Sequence, residues 1–243
     1  TTFIGRLLIK LLCNRFISKI TGSFLSTKFS CFLIPSFIKK HQIDMSIYED
    51  KKYRSYNDFF CRKIKLDQRP IAKNTLVSPA DGKLSVYKID ENSRFVIKNT
   101  SYTIESLLQE DFLAEKYKEG YCYIIRLTVD NYHRYCYPCS GPKTSNNYIP
   151  GKLHTVNPIA NDVVPIYKKN SREFTTIQSD KYNDVLQMEV GALFVGKIKN
   201  HHQRTSVSQG MEKGYFAFGG STIVLLLEKD AIPHPQCLLD RTE

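Results

Sequence analysis

Between residues 83 and 228 the chain is cut into short apolar runs, and that spacing restricts its fold more than any other feature. Segments 83–89, 121–128, 184–190, 193–198 and 222–228 are rich in Val, Ile, Leu, Tyr and Phe and are separated by Gly, Pro, Asn or Asp clusters, the pattern of strands joined by turns. Residues before about 75 have a different texture. Ile4, Leu7, Leu8, Leu11 and Leu12 repeat at i, i+3, i+4, i+7 and i+8, with Arg6 and Lys10 opposite, which predicts a short amphipathic helix. The phase changes near Arg15, Thr21-Gly22 predicts a break, and a second apolar stretch from Phe24 to Ile34 is expected to end at Pro35. Ser55 followed by Asp58 reads as an N-cap with an acid three residues on, opening a short helix through Phe59 and Phe60. The expected class is α+β: an N-terminal arm of amphipathic helices over residues 1–45, then a β-rich barrel- or sandwich-like body over residues 46–243, the two forming one folding unit.

The charge is concentrated in the arm. Residues 1–43 hold Arg6, Lys10, Arg15, Lys19, Lys28, Lys39 and Lys40 and no acid, which is +7 of the net +11; the remainder has 28 basic against 24 acidic residues. A nucleic-acid binder would spread its basic residues over the body, so nucleic acid is not an expected partner. A basic segment that also carries Phe16, Phe24, Phe29 and Phe32 has the makeup of helices seated on an anionic membrane surface; packing against the body is the alternative. No run reaches the ~18–20 apolar residues that span a bilayer. The cysteines, at 13, 31, 61, 122, 136, 139 and 237, are odd in number and form no regular framework, which suits a reducing compartment. Cys136-x-x-Cys139 has no second pair to complete a zinc site, and no metal is expected.

Four places set reactive side chains among turn residues. They are Ser78-Pro79-Ala80-Asp81-Gly82, Asp130-Asn131-Tyr132-His133-Arg134-Tyr135-Cys136, His154-Thr155-Val156-Asn157-Pro158 and Gly219-Gly220-Ser221-Thr222. Taken singly, each also fits a plain turn or a structural histidine. Taken in order, with Glu189-Val190-Gly191-Ala192 and Val195-Gly196 between them, they resemble the phosphatidylserine decarboxylase family. Gly5-Arg6-Leu7-Leu8, Asn57-Asp58-Phe59-Phe60 with Arg62, Arg69-Pro70-Ile71, and Asn170 with Arg172 extend the likeness from about Gly5 to Lys229.

That resemblance implies a self-processing enzyme that decarboxylates phosphatidylserine to phosphatidylethanolamine and CO2 in phospholipid biosynthesis, with a pyruvoyl group made from its own chain as the cofactor. Carried onto this sequence, Ser221 attacks the carbonyl of Gly220, the shifted ester is eliminated, and hydrolysis leaves the pyruvoyl at residue 221. The products are a β chain 1–220 and an α chain 221–243, which stay partners. The substrate amine would form a Schiff base with the pyruvoyl carbonyl, which takes up the electrons released with CO2. A serine hydroxyl needs a positioned base, itself oriented by a third group; His133 is the expected base and later proton donor, Asp81 its orienting acid, and His154 an accessory candidate. Many members carry a second histidine three residues after the first, where this chain has Cys136, so the self-cleavage base is either His133 or Cys136. The same resemblance places the protein peripherally on the cytoplasmic face of a bacterial cell membrane, with a homodimer as an assembly option. Two other readings are a pyruvoyl decarboxylase for another serine-headgroup lipid, and a membrane-surface binding module in which Ser221 is inert.

Overall fold

A computed structural model of the chain describes residues 15–90, 95–97, 100–150, 171–191, 197–217 and 221–232. Its helices are α1 (Arg15–Leu25), α2 (Leu33–His41), α3 (Tyr56–Phe60), α4 (Ile104–Leu108) and α5 (Asp111–Lys116). Its strands are β1 (Lys83–Lys88), β2 (Phe95–Ile97), β3 (Thr100–Tyr102), β4 (Tyr121–Leu127), β5 (Arg134–Cys136), β6 (Gly141–Lys143), β7 (Asn147–Ile149), β8 (Arg172–Ser179), β9 (Asn183–Val190), β10 (Ile198–Asn200), β11 (Thr205–Val207), β12 (Glu212–Phe216) and β13 (Ser221–Leu227). The runs expected at 83–89, 121–128, 184–190 and 222–228 are β1, β4, β9 and β13. Of the run expected at 193–198, only its end is described, where Ile198 opens β10.

The main sheet is antiparallel in the order β1-β4-β13-β9-β8-β6-β11, with β7 also paired to β8. A smaller sheet, β10-β12-β5, packs across it. Alternate residues of a strand face opposite sides, and the two cores follow that rule. Cys122 and Ile124 of β4, Met188 and Val190 of β9, and Val224 and Leu226 of β13 face α4 and α5, packing on Ile104, Leu107 and Leu108. Tyr123, Ile125 and Leu127 of β4, and Ile223, Leu225 and Leu227 of β13, pack with Tyr135 and Phe216 of the smaller sheet. Every residue of β13 is buried, which explains why its sequence is apolar without alternation. The class is α+β, with the two sheets layered as a sandwich and no closed barrel among the described strands.

The N-terminal region departs from expectation at two points. Helix α1 runs through Thr21-Gly22 to the buried Leu25. A glycine inside a helix costs only about 1 kcal/mol, and Gly22 is itself buried. Pro35 does not end an element; it lies in the first turn of α2, where its absent N–H would have had no helical partner. The helix expected over Ile4–Leu12 lies outside the described residues. Ser55 caps α3 as its spacing predicts, its Oγ accepting from Asp58 N at 3.1 Å. Leu25, Tyr56 and Phe60 form a small core with Leu33, Ile34 and Phe37, and Tyr56 N donates to Ser30 Oγ at 2.9 Å, so α1 and α2 are seated on α3.

One polar pair lies in the layer between the sheets. The pairing of β12 with β5 shifts between Glu212 and Gly214, leaving Lys213 as the extra residue of a bulge. Gly214 follows it where a Cβ would stand 2.1 Å from the Lys199 carbonyl oxygen, so only glycine allows β12 to approach β10 this closely. Lys213 and Glu189 are both fully buried and bonded to each other. Asn200 Nδ2 donates to Glu189 Oε2 at 3.1 Å and to Glu173 Oε1 at 2.9 Å. Burial pushes the Glu189 carboxyl up and the Lys213 ammonium down, so each depends on the other to remain charged. In an uncleaved Ser221→Ala background, Lys213→Met should therefore lose about 3–5 kcal/mol in urea unfolding, and adding Glu189→Gln should restore most of it. A Lys213→Met protein as stable as its parent would show that the pair carries no such constraint.

Candidate active site

Ser221 is the first residue of β13, 1% exposed, and opposite Leu127, the last residue of β4. The row beside it crosses the sheet as Lys83, Arg126, Thr222, Val190 and Arg172. This edge therefore gathers the start of β1, the ends of β4 and β9, and the starts of β8 and β13. Alternation puts Ser221 on the face of Ile223 and Leu225, the face covered by the smaller sheet. Gly82 precedes β1 on the same edge. A Cβ there would lie 2.7 Å from the Arg126 carbonyl oxygen, so a glycine lets the Asp81 turn close against β4.

His133 is delivered by the turn that leaves β4. Asn131 Oδ1 accepts from Thr128 N at 2.8 Å and from Thr128 Oγ1 at 2.9 Å, and Asn131 N donates to Thr128 O at 3.1 Å. The locked turn sets the Asn131 carbonyl oxygen 2.9 Å from His133 Nδ1. A carbonyl only accepts, so Nδ1 carries the proton and Nε2 is a bare lone pair. Nε2 is buried and has no hydrogen-bond partner among the described residues. The ring lies 3.9 Å from the Phe60 ring centroid, and the His133 carbonyl accepts from Phe216 N at 2.9 Å. Phe216 ends β12, five residues before Ser221, so the imidazole is tied to the strand that leads into Gly219-Gly220-Ser221. Burial pushes this histidine down to about 3, the Arg62 charge adding to it, while the Asn131 bond and Asp130 oppose.

Asp81 is not the partner of that ring. Its carboxylate is half-exposed and paired with Arg69, whose guanidinium lies 4.6 Å from the Tyr132 ring centroid. The expected Asp81–His133 hydrogen bond is absent because the Asn131 carbonyl occupies Nδ1 and Arg69 holds the acid. Asp81 stands instead on the side of Cys136, whose N donates to Pro79 O at 2.9 Å and whose Sγ lies 3.9 Å from Ser78 O. Burial pushes the Cys136 thiol up to about 11, Arg69 pulling against it and Asp81 adding to it. At neutral pH this thiol keeps its proton. His154, Gly219, Gly220 and Asn170 lie outside the described residues. Among the described residues no cluster of three or more metal-ligating side chains occurs.

Motif order alone gives no role to Asn131 or Arg69. Asn131 is found by the Thr-Val-Asp-Asn turn signature, but that its carbonyl would hold the ring requires the fold. Arg69, well before β1 begins at Lys83, gives no local sign that it pairs with Asp81.

Fold and site together define an α+β enzyme that keeps a serine at the head of a buried strand and a neutral imidazole in the adjoining layer. A family model described as phosphatidylserine decarboxylase matches residues 56–239. The chain is 46% identical over 242 residues to a phosphatidylserine decarboxylase proenzyme 2 of Clostridium acetobutylicum, spanning 98% of this chain and 83% of that one. A phosphatidylserine decarboxylase proenzyme of Clostridium tetani is 42% identical over 90% of this chain and 76% of its own length; one from Clostridium botulinum is 38% identical over 100% and 84%. The chain belongs to the phosphatidylserine decarboxylase family and is an enzyme of the carboxy-lyase class.

The buried neutral His133 has a consequence for stability. In the unfolded chain the ring takes up a proton near pH 6.5, whereas in the fold it does so only near 3. The unfolded state therefore binds the proton first, and stability falls as pH drops through 6.5 and goes on falling until about 3. Between pH 7 and 5 the loss from this group should be on the order of 2 kcal/mol. Urea unfolding of Ser221→Ala should show that loss, and Ser221→Ala/His133→Asn should lack it; equal pH slopes would mean that the ring titrates normally.

Proposed function

We propose that this protein decarboxylates phosphatidylserine to phosphatidylethanolamine, and that it first cuts its own chain between Gly220 and Ser221. The observation that carries the reading is the bare, buried Nε2 of His133 in the layer faced by Ser221. A buried acceptor without a partner costs stability unless it has a use. The relatives' name, proenzyme, agrees with a processed precursor.

In this scheme Ser221 Oγ adds to the Gly220 carbonyl and its proton passes to His133 Nε2. Because the ring is neutral beforehand, it must take a proton before it can give one, which orders the two steps. Asn131 fixes the tautomer from below, the part first assigned to Asp81. Asp81 and Arg69 hold the turn at 78–82 against β4 and set the field at Cys136, whose protonated thiol is a poor base. Residue 221 fits the conversion to a pyruvoyl group, since it heads a strand anchored on both sides and faces the layer that holds the orphaned nitrogen. When formed, that group supplies an electron-accepting carbonyl. His133 then returns a proton to the carbon that has lost CO2.

The arm fits a membrane-bound substrate. Phe29 and Phe32 are 81% and 70% exposed, with Ile20 and Phe24 also exposed, and Lys28, Lys39 and Lys40 lie among them. No described helix is long and apolar enough to cross a membrane. We read the exposed rings and lysines as seating the arm on an anionic surface, at the cytoplasmic face of a bacterial cell membrane.

Intact mass checks the self-cleavage. The purified protein should give two chains, residues 1–220 and the 23 residues 221–243 with a pyruvoyl N-terminus, and Ser221→Ala should give one. His133→Ala should block the cut while Cys136→Ser permits it; the reverse pattern would move the base to Cys136. A full-length chain that decarboxylates phosphatidylserine would overturn the mechanism. For the arm, Phe29→Ser/Phe32→Ser should weaken binding to phosphatidylglycerol vesicles at least tenfold, each ring contributing about 1.5–3 kcal/mol when buried. Unchanged binding across a salt series would mean that these rings do not meet lipid.

A further inference from the structure

Arg62 is 2% exposed, and its charge is not balanced by any carboxylate among the described residues. Asp58, four residues before it, is taken by Lys51 Nζ at 2.6 Å and by Arg54 N at 3.0 Å. Among the described residues the contacts of the guanidinium are few: Nη2 reaches Tyr48 OH and Asp130 O, both at 3.3 Å, while Nε and Nη1 are buried without a partner there. Its plane lies 4.5 Å from the Tyr48 ring centroid and 5.0 Å from that of Phe59. The aromatic rings thus cover its faces and leave donors at its edge, the arrangement in which a guanidinium receives a planar or tetrahedral oxyanion.

Its position joins it to the site already described. Phe60, two residues earlier, carries the ring stacked on His133. Asp130 O, which Arg62 bonds, is one residue before the Asn131 carbonyl that fixes His133 Nδ1. The element covering it is slight: Tyr48 is held by a single bridge to Ile64, flanked by Glu49 N to Lys63 O at 2.8 Å and Lys65 N to Ile47 O at 3.0 Å. This short ladder is tied to the turn that carries His133, Ile64 N donating to Tyr132 OH at 3.3 Å.

We propose that Arg62 is a substrate-binding residue that receives an oxyanion of the phospholipid headgroup, its phosphodiester or its serine carboxylate. The inference rests on the decarboxylase reading. A buried cation lacking a counter-ion is unfavourable in the free protein and is relieved by an arriving anion, so part of the substrate's affinity comes from a charge the fold leaves uncompensated.

The test uses Arg62→Gln and Arg62→Lys beside the wild-type protein. Self-cleavage is read by mass first, and KM and kcat are taken on the processed chain, because Arg62 also lowers the proton affinity of His133. With short-chain phosphatidylserine, Arg62→Gln should raise KM roughly 10–100-fold, as expected for a lost charge-assisted pair, with kcat changed much less, and Arg62→Lys should fall between. Thermal melting supplies a readout independent of turnover. Without ligand, Arg62→Gln should melt no lower than wild type, since a purely structural arginine would instead cost stability when removed. Glycerophosphoethanolamine, which has the phosphodiester alone, and L-serine, which has the carboxylate alone, separate the two sources. A rise in wild-type Tm with either probe, lost in Arg62→Gln, supports the proposal and names the group bound. No rise with either probe, or a rise that survives in Arg62→Gln, overturns it. Should Arg62→Gln not fold, a KM for Arg62→Lys equal to that of wild type overturns it as well. Absence of decarboxylation by the wild-type protein would count against the functional reading alone, because the melting arms still report on Arg62.

Discussion

Strand β13 holds the rest of the molecule in register. It pairs along its whole length with β4 on one side and over Thr222–Leu226 with β9 on the other, and every one of its side chains is buried. The bond proposed to break lies at the head of this strand. Cleavage there would release a chain end but leave the ladder and both cores untouched, so a 23-residue piece could stay seated without any covalent link. The same placement fixes where residue 221 is presented: it cannot shift by one position without moving Ile223, Leu225 and Leu227 out of one core and into the other.

Around that fixed strand the polar groups are placed by backbone more than by one another. The Asn131 carbonyl determines the His133 tautomer, Gly82 lets the Asp81 turn close against Arg126, and the bulge at Lys213 turns an ammonium inward onto Glu189. A relay expected as three side chains in a line is instead divided. His133 rests on a main-chain acceptor under Phe60, and Asp81 sits with Arg69 near Cys136. The division suits a chain with a thiol where many relatives have a second imidazole, since the neutral imidazole keeps a free lone pair and the thiol keeps its proton.

Much of this was legible in the sequence where burial acts on long runs. β4, β9 and β13 are apolar because their faces are covered, β1 buries Val86 alone, and the Ser55 cap of α3 follows from local hydrogen bonding. The smaller sheet was not legible: β5, β10 and the three-residue strands near them are too short to display a period, and β12 contains Lys213 and Gly214, which read as a turn until the bulge is seen. Pro35 and Gly22 misled because each is judged a breaker by propensity, whereas the first turn of a helix tolerates proline and a single glycine costs a helix only about 1 kcal/mol. Asp81, His133 and Ser221 could be picked out by motif order; which carbonyl or cation each one meets is set by the turns that carry them, with Asn131 two residues from His133 and Arg69 twelve from Asp81.

The chemistry turns on the protonation state of one ring. Nitrogen-15 NMR of histidine-labelled Ser221→Ala protein, with the His133 signals assigned by their loss in His133→Asn, reads both ring nitrogens directly. A protonated Nδ1 and an unprotonated Nε2 that stay unchanged from pH 8 to pH 5 are the predicted result. A ring protonated at Nε2, or one titrating near pH 6.5, would contradict it.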